Sequence, residues 1–270
     1  MDLVEMFDYY WYQKADSRMS RLPLMQSPII LPAILFSYLY FILKCGPKFM
    51  KDRKPYKLNT FIKWYNILQI ASNAFIVQQL ISVGWFSEIT VFCEPENYSD
   101  TPKNMKVVYI LWFGLITKIV DLIETGVFVL RKKNRQISFL HLYHHVSTPL
   151  VCWTVTRYVP VAPASFPMLV NCAVHVIMYS YYLLSSFGGK WRKILNPIKP
   201  LITITQMVIT NKLVKVQFIV LIAYSIQAFM PYCNQLKPTS VLGIVDLIIN
   251  FVLFYSFYDS TYVKPVRKME

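Results

Sequence analysis

The chain has 270 residues, 55% hydrophobic and 16% aromatic, with only 16% charged residues and seven glycines. Soluble domains carry about a quarter charged residues, so this depletion, with a positive mean hydropathy, excludes an ordinary soluble domain and points to a membrane protein. The formal net charge of +14 would suit a nucleic-acid binder, but it is divided among short loops on one side of the predicted spans, where orientation and anionic headgroups account for it; nucleic acid is excluded as a partner.

In chain order, the N-terminal "MDLVEMFDYY" is acidic and is not followed by a small-residue cleavage site, so no cleaved signal peptide is expected. Apolar runs long enough to cross a bilayer, which takes about 20 residues of helix, follow at 28–45, 61–86, 107–130, 139–158, 164–187, 201–230 and 241–258. The prediction is an all-α polytopic protein, one membrane domain over 1–270, with seven transmembrane helices. Lys48, Lys51, Arg53, Lys54 and Lys57 follow the first span. Arg131, Lys132, Lys133 and Arg135 follow the third, Lys190, Arg192, Lys193 and Lys199 the fifth, and Lys264, Arg267 and Lys268 the seventh. The alternate loops are poor in Lys and Arg, and 87–106 carries Glu88, Glu94, Glu96 and Asp100. Because Lys and Arg flank spans on the cytoplasmic side, the N-terminus is predicted outside and the C-terminus cytoplasmic.

Cys93 and Cys233 fall in loops on the predicted non-cytoplasmic side, where a disulfide persists, and they are expected to pair. Cys45, Cys152 and Cys172 lie in or at the ends of spans and read as small buried hydrophobes. Asn97 opens an Asn-Tyr-Ser glycosylation acceptor on the same predicted face as Cys93. Pro149 stands inside the fourth span and is expected to bend that helix or free a carbonyl for neighbouring helices to satisfy. The sixth span is too long for one untilted crossing and has Lys212 and Lys215 near its middle.

Polar residues inside spans are costly, about 2.5–3.5 kcal/mol for a charge at the bilayer centre, and mark function or an interior ion pair. The third span has Lys118, Asp121 and Glu124 at helical spacing, with Thr125 beside them. The fourth has His141, His144 and His145, whose i, i+3, i+4 relation puts them on one helix face. His175, the remaining histidine of the chain, is in the fifth, one turn from Asn171 and from Tyr179. A lone histidine in a helix is usually a satisfied core residue, but every histidine of the chain falling on two consecutive spans is not explained that way. Two chemistries use such a cluster. Paired irons in membrane desaturases and hydroxylases take His-x-x-His-His boxes, yet would want about twice the imidazoles present. Metal-free acid–base or nucleophilic work needs two or three, since imidazole can attack a thioester and carry the acyl group. A seven-span receptor has no reason to concentrate its histidines so.

"KIVDLIETGVFVLRKKNRQISFLHLYHH" with "NCAVHVIMYSYYLL" strongly resembles the fatty-acid elongases of the endoplasmic reticulum. The family's motifs K-x-x-E-x-x-D-T, H-x-x-H-H, N-x-x-x-H-x-x-M-Y-x-Y-Y and T-x-x-Q occur in order from Leu24 onward. Asp121 and Glu124 exchange the family's usual acids. Thr203 and Gln206 match the last motif, and Ile209 replaces a further glutamine.

The resemblance implies decarboxylative Claisen condensation of a long-chain acyl-CoA with malonyl-CoA to 3-oxoacyl-CoA, CO2 and CoA, with no bound metal or cofactor. It further implies work beside the reductases and dehydratase of the elongation cycle, and a homodimer is compatible with it. Under it, His144 or His175 accepts the acyl group, while His141 and His145 orient and deprotonate that pair. Asn171 and Gln206 donate to oxyanions, and Lys118 with Asp121 organises the pocket base. Arg131, Lys132, Lys133, Arg135, Lys190 and Arg192 are the candidates for CoA phosphates, and Tyr179 and Tyr182 for the pocket wall. Residence in the endoplasmic reticulum membrane, with the N-terminus lumenal, fits "RKME" at Arg267 to Glu270, which resembles a dilysine retrieval signal.

Overall fold

The computed structural model describes residues 2–93, 96–187, 209–231, 233 and 237–259, and the side chains of these apart from 209–217 and 258. Glu94, Lys190, Arg192, Lys193, Lys199, Thr203, Gln206 and the tail from Lys264 to Glu270 lie outside the described residues, as do the side chains of Ile209, Lys212 and Lys215.

Among the described residues the regular structure is helical, without strands beyond one isolated bridge, Trp85 to Ile89. Two short helices open the chain, α1 (Leu3–Asp8) and α2 (Ser17–Ser20). Seven long ones follow: α3 (Ile30–Met50, with a π-helical turn at Phe41–Cys45), α4 (Asn59–Ser82), α5 (Pro102–Leu130), α6 (Phe139–Tyr158), α7 (Phe166–Ser186), α8 (Ile209–Ile226) and α9 (Lys237–Tyr258). Each long helix falls on one of the seven predicted runs. Ile30–Met50, Pro163–Ser186 and Lys237–Phe257 are long and apolar enough to cross a membrane by composition alone.

Inward-facing polar residues lower the mean hydropathy of α4 and α5. Asn66, Gln69 and Asn73 of α4 are buried while Phe61, Trp64, Leu68 and Phe75 of the same helix are exposed. In α5, Lys118 and Asp121 are buried while Tyr109 and Ile123 are exposed. Polar inside and apolar outside is the arrangement that a lipid solvent selects.

Local chemistry moves two predicted boundaries. The second run was expected to reach Phe86, but α4 stops at Ser82 because Gly84 (φ 117°) and Phe86 (φ 69°) turn the chain through left-handed backbone. The third was expected from 107, but Thr101 caps α5 through a bond from the Asn104 N–H (3.3 Å), and Pro102 supplies the first helical position. Pro149 lies inside α6 without ending it.

The helices pack as a ring. α4 lies most extensively against α7 and also against α5; α5 meets α6, α6 meets α9, and α9 meets α8. Between α8 and α7 the Tyr224 ring lies 4.5 Å from that of Phe166, tilted by 37°, and its hydroxyl donates to the Pro163 carbonyl (2.7 Å). α3 packs outside the ring against α5 and α6. Its close approach to α5 needs Gly46, where an added Cβ would meet Val129.

The N-terminal segment, which the sequence reading left without structure, is strapped to the end of the ring reached by α6. Asp2 and Glu5 form a capping box on α1. The Arg157 guanidinium stacks 3.4 Å over the Trp11 ring and donates to the carbonyls of Trp11 (2.7 Å) and Met25. The indoles of Trp112 and Trp153 donate to the carbonyls of Pro23 (2.9 Å) and Leu24 (3.1 Å).

Cys93 and Cys233 form a disulfide with Cα atoms 5.8 Å apart, tying the loop after α4 to the loop after α8 across 140 residues. A bridge closing so long a loop restricts the unfolded chain strongly. Cys93→Ser is therefore expected to lower stability by about 2–5 kcal/mol, read as a lower melting temperature in detergent. Melting unchanged by the substitution would contradict this.

Candidate active site

A cavity of about 630 Å³ runs through the ring, walled by α5, α6, α7, α8 and α9. Arg135, Gln136 and Ser138 line it where α6 begins, and Val159, Val161 and Pro163 line it beyond where α6 ends. Twenty residues of helix at ~1.5 Å each make that path about 30 Å long. All four histidines line it.

α5 and α7 supply one wall. The Lys118 ammonium sits 3.2 Å from Asp121 Oδ2 and donates to Asn171 Oδ1 at 2.6 Å. Asp121 Oδ1 accepts from Gln69 Nε2 (2.6 Å) and from the Tyr179 hydroxyl (3.2 Å), which also reaches Glu124 (3.4 Å). Both members of the ion pair are only 6% exposed in their side chains. Such a pair is tolerable because every oxygen of Asp121 has a donor. Gln69 is in turn fixed by Tyr65 (2.8 Å), so α4 braces the cluster from behind. His175 projects from α7 beside it, buried, with Nδ1 3.8 Å from Asp121 Oδ2 and without a hydrogen-bond partner among the described residues.

α6 supplies the opposite wall, and its three histidines have different surroundings although they share one cavity. Ser138 caps the helix by accepting from the His141 N–H (3.2 Å). His141 Nε2 meets Thr125 Oγ1 at 2.8 Å, and that hydroxyl meets Tyr38 of α3 at 2.9 Å, so His141 is anchored towards α5 and α3. His144 Nδ1 lies 3.2 Å from Asn250 Oδ1 of α9 and 3.2 Å from Thr148 Oγ1. The His145 ring lies 4.1 Å from that of His141 and 5.8 Å from that of His144.

Of the residues expected to meet CoA phosphates, Arg135 lines the cavity at the end where α6 begins. Arg131, Lys132 and Lys133 are not among its lining residues; Lys132 donates instead to the Lys51 carbonyl (3.2 Å). Tyr179 and Tyr182 both line the wall. Asn97 is exposed in the loop before α5, its side-chain oxygen accepting from Ser99 N (3.0 Å) and Oγ (2.7 Å). Asp246 and Asn250, which line the cavity, and Gln69 and Tyr38, which hold Asp121 and Thr125, went unmarked in the sequence. For Asp246 and Asn250 a signal was present, as polar side chains one turn apart in the apolar run of α9. Among the described residues no three His, Cys, Asp or Glu side chains converge as a metal-ligand set.

The sequence model of the GNS1/SUR4 family (ELO) matches residues 23–270. The chain is 35% identical to very long chain fatty acid elongase 1 of Homo sapiens over 265 residues, covering 94% of this chain and 88% of that protein. It is 33% identical to elongase 7 of Rattus norvegicus over 259 residues (95% and 89%) and 34% identical to elongase 4 of Homo sapiens over 266 residues (98% and 81%). These relatives give the di-iron desaturase or hydroxylase alternative no support. A helical chain with membrane-length apolar helices, aligned with elongases over nearly its whole length and carrying their histidine box in a central cavity, belongs to the GNS1/SUR4 family of fatty-acid elongation enzymes.

Proposed function

We propose that the chain is the condensing enzyme of elongation, a 3-oxoacyl-CoA synthase joining a long-chain acyl-CoA to malonyl-CoA. The observation that carries this reading is the convergence of His144, His145 and His175 with the Lys118–Asp121–Asn171 cluster on one cavity, whose remaining length is mostly apolar. A thioester carbonyl placed among the imidazoles would leave its alkyl chain in the stretch towards Val159 and Val161, and its CoA towards Arg135.

An imidazole nitrogen, of His144 or His175, attacks the thioester and the CoA thiolate leaves. Malonyl-CoA then loses CO2, and the resulting enolate attacks the acyl-imidazole, returning the electron pair to the ring. Asn171 spends its oxygen on Lys118, so its amide nitrogen remains a donor for a developing oxyanion. Gln206 is proposed as a second donor. His141 and His145 orient the acylated ring, and Lys118 with Asp121 fixes Asn171. Basic residues of the loops predicted to be cytoplasmic, Arg131, Lys132, Lys133, Lys190 and Arg192, attract the CoA phosphates. All seven long helices cross the endoplasmic reticulum membrane with the N-terminus lumenal, which puts the Cys93–Cys233 bridge and Asn97 on the oxidising side. The product passes to a reductase.

Purified protein incubated with malonyl-CoA and a panel of acyl-CoAs is expected to give 3-oxoacyl-CoA two carbons longer, with CO2 release. Failure with every chain length, from protein that is folded and monodisperse, would refute the reading.

A further inference from the structure

We infer that Asn250 is a positioning residue for the condensation, holding His144 in the tautomer that keeps a lone pair on Nε2. The inference deepens the proposed function and rests on its reading that His144 acts in condensation through Nε2.

Asn250 is buried on α9, 106 residues from His144 in the chain. Its amide nitrogen donates to the Asp246 carbonyl one turn earlier (2.9 Å), and this fixes which end of the amide is oxygen. The oxygen therefore faces His144 Nδ1 at 3.2 Å. An amide oxygen only accepts, so the ring carries its proton on Nδ1 and leaves Nε2 unprotonated. Thr148 Oγ1, also 3.2 Å from Nδ1, can accept the same proton. Phe254, one turn beyond Asn250, meets the His144 ring edge to face at 6.0 Å and limits its rotation. The Tyr143 hydroxyl donates to Asp246 Oδ1 (3.2 Å), so α9 holds two successive residues of α6. No such acceptor stands at His175 Nδ1 among the described residues.

The choice of an amide has a chemical consequence. When Nε2 bonds to the acyl carbon and the carbon–sulfur bond breaks, the CoA thiolate departs and the ring becomes an acyl-imidazolium with its proton still on Nδ1. Asn250 accepts the hydrogen bond but cannot take the proton, so the adduct stays cationic and leaves readily. The malonyl carboxylate departs as CO2, and its electron pair forms the new carbon–carbon bond. The carbon–nitrogen bond then breaks back to neutral His144, and the thiolate takes a proton from water. Charge and atoms balance over the cycle.

The test uses full-length protein in detergent with long-chain acyl-CoA alone, reading first-turnover CoA release and the adduct by mass spectrometry, then steady-state turnover with malonyl-CoA. Asn250→Leu is expected to slow CoA release by about tenfold or more. Asn250→Asp, which keeps an acceptor at the same atom, is expected to hold that release to within a few-fold of the parent, whereas leucine, which keeps the bulk but not the acceptor, does not; a packing role would predict that both variants stay near the parent. Asn250→Ala serves if the leucine variant does not elute as folded protein. Parental CoA release and turnover in the leucine or alanine variant, or an aspartate variant as slow as the leucine one, would overturn the inference. If the parent forms no histidine adduct, the covalent reading falls. Asn250 is then judged on turnover alone, where a loss rescued by aspartate sustains it and parental kcat in the leucine variant removes it.

Discussion

Replacing His144 or His175 with alanine is expected to reduce condensation by about 10³-fold or more, equivalent to ~4 kcal/mol of transition-state stabilisation, while the protein still folds and inserts. Both rings line the cavity from facing helices, so each substitution removes an imidazole from the reacting space. The two should differ in stage. His144 has its proton placed by Asn250 and Thr148, so its loss should also abolish first-turnover CoA release. His175 stands beside the Lys118–Asp121–Asn171 cluster, so its loss should spare some CoA release and stop carbon–carbon bond formation. Cys152→Ala and Cys172→Ala are expected to stay within a few-fold of the parent, because neither thiol has a part in the proposed steps. The measurement is product formation by mass spectrometry alongside a melting curve for each variant. Near-parental turnover in both histidine variants would remove the imidazole assignment.

The helices were readable because a bilayer demands long apolar runs, and the histidine box because imidazole is rare enough here to be conspicuous. Spacing alone placed His141, His144 and His145 on one face. It did not show that Tyr38 and Thr125 anchor the first of them, or that Asn250 holds the second, because those partners come from helices far along the chain. Asp246 and Asn250, one turn apart in an otherwise apolar α9, are the pair a stricter use of the same cost argument would have found. The N-terminal strap was not legible for a different reason. Its anchors are backbone carbonyls of Trp11, Pro23, Leu24 and Met25 taken by Arg157, Trp112 and Trp153, and backbone acceptors leave no trace in residue identity. Charge counting likewise marked Arg131, Lys132, Lys133 and Arg135 together, whereas the turn at Asn134–Gln136 brings only Arg135 to the cavity.

Lys118→Met is expected to destabilise the protein by about 3–5 kcal/mol, because it leaves the buried Asp121 carboxylate without its cation. Gln69 and Tyr179 still donate to Oδ1, but Oδ2 loses its charged partner, and Asn171 Oδ1 loses the 2.6 Å donor that fixes it. Adding Asp121→Asn removes the orphaned charge. The double variant should therefore melt near the parent, since replacing both members of a buried pair by neutral groups is often close to neutral. Its condensation should remain depressed by about 10²-fold or more, because Asn171 is no longer held for the developing oxyanion. The two readouts separate fold from chemistry. A single variant that melts with the parent would show that the pair does not support the bundle, and a double variant that regains full turnover would show that it does nothing else.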